Sequence, residues 1–194
     1  MSADLRQRAV PTITLTIANS GLARRPAGDR RATLNDPLGT RDAAGAFLSE
    51  FRADVMHRGN RRVAVSSDVL SRLTTWRGAL CRLLDAVASG TKPKPDDLDI
   101  VNSAAGPAKR IKSLTSAMTA DETILTDDPV ARLSAFCVDE LAGCDHRRIK
   151  KCARPECAMY FYDQTRNRSA RWHADDPCGW RSRDERRRSP LRSG

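Results

Sequence analysis

Aromatic side chains are scarce in this chain: Phe, Trp and Tyr together make up 5% of 194 residues. A core must come mainly from aliphatic groups, and the 40% hydrophobic content permits one of modest size. Long apolar runs are missing as well. No stretch of about 18 apolar residues occurs, which argues against a transmembrane helix. The N-terminal MSADLRQRAVPTITLTIANSGLARR lacks the basic-then-apolar order of a secretory signal. A cytoplasmic protein with no membrane partner is expected. Nor is there a nucleophile–base arrangement, a Gly-rich phosphate cradle or a pair of acids at catalytic spacing, so an enzyme is not expected. His57 and His146 stand alone, and no segment repeats.

Negative charge is in deficit. The formal net charge is +10, from 34 Lys and Arg against 24 Asp and Glu. Residues 147–194 hold 14 of the cations and 6 of the acids, whereas residues 1–146 hold 20 and 18. The basic excess therefore belongs to the C-terminal segment. Such an excess suits an anionic partner, nucleic acid above all, and equally a solvated basic tail.

The remaining chain reads as mainly α with one small β-hairpin. Residues 1–40 are poorly patterned: ITLTI (13–17) alternates like a short strand, and 21–39 is a Gly/Pro/Arg-rich loop. Apolar residues from Asp42 to His57 recur at helical spacing, and HRGNRR (57–62) breaks the pattern. Val69, Leu70, Leu73, Trp76, Leu80, Leu83, Leu84 and Val87 form the clearest stripe. It is preceded by cap candidates Ser66, Ser67 and Asp68, and ended by Gly90, Pro93 and Pro95. Trp76 and Cys81 are read as packing residues. DDLDIVNSAA (96–105) is a short helix with acids in its first turn; 109–118 and 122–127 suit the hairpin. Residues 128–144 form a helix capped by Asp128, with Cys137 on its core face. The expected organisation is a poorly patterned segment 1–40, a helical domain 41–146 and a small module 147–190.

That module contains C-x4-C-x15-H-x4-C: Cys152, Cys157, His173 and Cys178. Structural zinc wants four thiolate or imidazole ligands in a tetrahedron, commonly two close pairs joined by a longer loop. The spacing matches. Cysteines clustered in a reducing compartment point to metal more than to disulfides. A segment this short has too little core to fold alone, and Met159, Tyr160, Phe161, Tyr162 and Trp172 supply only a small apolar shell. The competing readings are chance scatter, a disulfide module and a catalytic zinc with an open position. Cys144 and His146 are alternative ligands with too tight a spacing. Asp163 and Arg171 are candidates to orient ligands or to pair with each other.

The segment resembles the CGNR zinc finger, which sits at the C-terminus of bacterial proteins carrying an ABATE domain. The resemblance rests on Cys152-x4-Cys157, Phe161-Tyr162-Asp163, Thr165-Arg166-Asn167, Arg171-Trp172-His173 and Cys178-Gly179-Trp180-Arg181. The helical body resembles the ABATE part through the 69–90 stripe, DDLDIVN and the 129–142 helix, while residues 1–40 show little of it. Two positions depart from the family pattern. His173 replaces the third cysteine, which leaves a zinc site one unit less negative, and Trp180 replaces the namesake Asn.

The resemblance implies a zinc-binding, DNA-binding, stress-related transcription regulator whose body senses a small-molecule effector or a protein partner. The charge map agrees with it. Arg181, Arg183, Arg186 and Arg187 fall on a C-terminal stretch compatible with a helix, and Arg168 and Arg171 on the loop before it. An arginine face on a metal-fixed helix suits phosphates and base edges. The alternative is a zinc-stabilised protein-interaction module with no sequence-specific DNA binding.

Overall fold

The computed structural model describes residues 10–20, 36–51 and 63–188. Six helices are present among them: α1 (Thr12–Ser20), α2 (Arg41–Ser49), α3 (Ser67–Ala88), α4 (Pro95–Ala105), α5 (Pro129–Gly143) and α6 (Trp180–Arg188). Two antiparallel pairs complete the order, β1 (Lys109–Leu114) with β2 (Ala120–Leu125), and β3 (Ile149–Lys151) with β4 (Tyr160–Tyr162). The class is mainly α, as expected. No helix among these residues is long and apolar enough to cross a membrane.

The 69–87 stripe is the spine of the core. Ser66 caps α3 by accepting the Val69 amide at 3.1 Å, and Leu73, Trp76, Leu80, Leu83 and Leu84 are buried. Gly90 ends it at φ +72°, a left-handed conformation that costs glycine little. The Thr91 amide then reaches the Ala86 carbonyl at 2.8 Å. Pro95 does more than block α3: it sits in the first turn of α4, where its missing N–H is not needed. Trp76 is core, as expected. Its indole N–H donates to Ser134 Oγ at 2.9 Å, and that hydroxyl donates to the Val101 carbonyl at 2.7 Å. This relay pins α3, α5 and α4 together without leaving a buried polar atom unmet.

The ITLTI stretch corrects the sequence reading: it is helical, not a strand. Alternation in five residues is a weak local signal, and a tertiary contact overrides it. Glu140 of α5 accepts the Ile13 and Thr14 amides at 2.9 and 2.8 Å, and the Thr14 hydroxyl at 2.8 Å. A carboxylate at the amide-rich end of α1 replaces the missing local cap and complements the helix dipole. Ile17 and Ala18 then bury against the core. Replacing Glu140 with Ala is expected to cost about 2 kcal/mol. Urea denaturation would read the loss, and amide exchange would show it concentrated in α1.

Residues 21–35 of the expected loop and the 57–62 break lie outside the described residues. The helix expected over 42–57 is observed as Arg41–Ser49, capped by Thr40, with 52–57 outside the description. Asp128 and Pro129 open α5 as expected, and Cys137 is fully buried. The β1–β2 hairpin is held over α5 by Arg110, which pairs with Glu122 at 2.6 Å and Asp139 at 2.5 Å.

The C-terminal module is seated on the body. Ile149 and Tyr160 belong to the same buried cluster as α3. The Tyr160 hydroxyl donates to the Cys81 carbonyl at 3.0 Å, and its backbone exchanges two hydrogen bonds with the Asn19 side chain at 2.8 and 2.9 Å. Lys151 pairs with Asp85 of α3 at 2.7 Å. Cys152 follows β3 directly, so this docking fixes where the cysteine pair begins.

Candidate metal centre

Cys152, Cys157, His173 and Cys178 converge, their ligand atoms all within 4.8 Å of one another. Cys152 leaves β3, and its amide returns to the Met159 carbonyl at 2.9 Å, closing the knuckle around Cys157. His173 precedes a single wide helical turn, Asp175–Gly179, that carries Cys178 into α6. The Ala153 amide reaches the Arg171 carbonyl at 2.8 Å and lashes the two halves together. Cys157 Sγ and His173 Nδ1 are 3.4 Å apart.

The arrangement fits zinc. Tetrahedral Zn–S bonds of about 2.3 Å put neighbouring sulfurs about 3.8 Å apart, so a slight contraction of the set suffices. Burial, followed by the neighbouring Cys152 thiol, pushes Cys178 up to about 12. Burial raises Cys157 too. A divalent cation reverses this logic by stabilising the thiolates. With three thiolates and one imidazole the filled site carries one net negative charge. Arg154, in the loop between the first two cysteines, is buried, pairs with Glu156 at 2.8 Å and ties that loop to α6 through Glu185 at 3.1 Å. Its Nη1 has no hydrogen-bond partner among the described residues.

Asp163 organises the loop between the pairs. Its side chain is fully buried and accepts from Lys150 Nζ at 2.6 Å, the Thr165 amide at 2.9 Å and hydroxyl at 2.6 Å, and the Ala170 amide at 3.0 Å. Burial alone would raise its carboxyl; the Lys150 and Thr165 donors outweigh it and hold it at about 2. Asp163 therefore pairs with Lys150, not with Arg171. Arg171 instead lies over the Trp172 ring at 5.6 Å. Cys144 and His146 stay outside the cluster; Cys144 Sγ and His146 Nε2 both lie against the Leu141 carbonyl.

The arginines divide by partner. Arg183 makes a two-pronged pair with Asp175 at 2.7 and 3.0 Å and sits 5.8 Å from the Trp172 ring centre. It braces the turn that carries Cys178. Gly179 leaves room for this brace, since a Cβ there would meet Asp175 Oδ1 at 2.5 Å. Arg168 and Arg187 are exposed, Arg181 is half-buried, and Arg186 lies on α6. Trp180, at the family's Asn position, is 56% exposed. Sequence reasoning missed Lys150, Arg154 and Glu185. Their only signal was position, two residues either side of Cys152 and along the terminal helix.

Residues 148–189 match the CGNR zinc finger, and residues 13–143 match the ABATE family, described as "Putative stress-induced transcription regulator". The second match starts at Ile13, inside the segment where the sequence showed little of the family pattern, and so takes in α1. Among curated proteins none matches the chain. The ABATE match spans more than half of the chain, and the finger follows it in the order the family resemblance implied. The protein thus belongs to the ABATE family and carries a CGNR zinc finger after its helical body.

Proposed function

We propose that the protein is a zinc-dependent, DNA-binding transcription regulator of the cytoplasm. Cys152, Cys157, His173 and Cys178 hold one structural Zn2+, and the module from residue 147 onward contacts DNA. The helical body responds to a small molecule or a protein partner. The observation that carries this reading is the convergence of four ligand atoms at the root of α6, within the segment that holds most of the net positive charge. All four positions are protein ligands, which suits a closed structural site rather than a catalytic one. Arg168, Arg171, Arg181, Arg186 and Arg187 are the phosphate and base contacts in this reading. Arg183 faces DNA only through what its pair with Asp175 leaves open.

Salt dependence tests it. Affinity for duplex DNA should fall steeply with salt, and Arg187→Ala should shallow the log–log slope by about one. Arg187 is exposed and makes no ion pair among the described residues. Weak binding with a flat slope would sink the proposal. One observation favours a protein-interaction module instead. Four charged groups of α6, Arg183, Asp184, Glu185 and Arg188, are already paired internally, and the exposed residue at the family's Asn position is an indole. Under that reading zinc still binds and DNA affinity ignores sequence.

A further inference from the structure

Body and module meet along a groove of about 850 Å3. Leu83 and Val87 of α3, Leu98 and Val101 of α4, and Val138 and Leu141 of α5 line it together with Ile149 of β3. The volume lies in the range that holds small ligands, and such sites are mostly apolar with a few placed polar groups. Here the charged groups are of one sign. Lys92, Arg147 and Lys150 line it, and no Asp or Glu among the described residues does. The Lys150 ammonium is committed to Asp163, but Lys92 and Arg147 are exposed and make no ion pair among the described residues.

The ends of α3 and α5 that reach the groove do not cancel this charge. Amides of Gly90 and Thr91 cap the Val87 and Ala86 carbonyls, and the His146 ring caps Leu141 at 2.6 Å. Among the described residues no Phe, Tyr or Trp lines the walls, and the one ring there is the His146 imidazole, held to the Leu141 carbonyl by its edge. We infer that the groove binds a small aliphatic carboxylate, its chain along the leucine and valine walls and its anionic end between Lys92 and Arg147. The inference deepens the reading of the helical body as a sensor and rests on it. Such a ligand touches Ile149, three residues before Cys152, and so lies against the strand that positions the metal module.

The test uses the zinc-loaded full chain, isotope-labelled, titrated with decanoate and separately with decanol. Decanoate should shift the amides of Gly90, Asn102 and Ile149. Joint replacement Lys92→Ala and Arg147→Ala should weaken decanoate about tenfold, the worth of a partly exposed charge contact, and leave decanol unchanged. Leu98→Glu should abolish decanoate binding. Leu98 is 38% exposed, so this variant should keep its fold, which circular dichroism would check. No shift in these amides at millimolar decanoate overturns the inference. So does equal decanoate affinity in the double variant, or shifts that depend on protein concentration alone and mark a second copy in the groove. Decanoate shifts in a chain that shows no DNA affinity support the groove while refuting the regulator reading.

Discussion

Replacing Cys178 with Ser is expected to reduce zinc from about one per chain to a small fraction, and to melt the module while the body stays folded. Mass spectrometry of metal content and amide dispersion over 150–185 would read the two effects. The size follows from how little else holds this segment. Structural zinc contributes on the order of 10 kcal/mol to isolated fingers, and disturbing only an outer-shell partner already weakens metal affinity by about 10–100-fold. Removing a ligand should exceed that. Cys178 ties the start of α6 to the centre; without it Asp175, Arg183 and Trp172 lose their common frame. His173→Ala should act in the same direction. A chelator should reproduce the melting, and β3 with Tyr160 should persist longest because they pack on α3. Full zinc content in Cys178→Ser would remove this residue from the ligand set.

Asp163→Ala should cost about 3–5 kcal/mol of module stability, the usual result of stripping one partner from a buried ion pair. Two Thr165 donors and the Ala170 amide would lose this acceptor at once, and Lys150 would keep only the Arg168 and Ala170 carbonyls. Zinc-loaded protein should show the loss in thermal denaturation. The pH dependence has a definite sign. The folded carboxyl is held at about 2, below the usual aspartate value of about 3.9. Its contribution is therefore complete above about 4 and is lost as pH falls toward 2. The wild type should shed that stability over this interval, and Asp163→Ala should not. An unchanged acid limb in the variant would mean that other groups govern it.

Some of this was legible in residues alone because the signals are local. Helical spacing located α3 and α5, Ser66 and Asp128 marked their starts, and Gly90 marked an end, since each depends on chemistry within one turn. The cysteine and histidine spacing selected the four converging side chains, because each close pair is brought to one point by a short loop whatever surrounds it. Local alternation at 13–17 misled for a matching reason. A strand pattern of five residues carries less free energy than the three hydrogen bonds Glu140 offers from 126 residues away.

Composition and order in the chain thus determined a mainly α protein with a basic, metal-ligating C-terminal module. Only tertiary packing decided how the module is oriented and which charges remain free. Tyr160 and Lys151 seat it on α3, Asp163 takes Lys150 rather than Arg171, and Arg183 turns inward to Asp175. Those choices depend on distances between segments far apart in sequence, where burial strengthens one ion pair over another, and no periodicity or spacing encodes them.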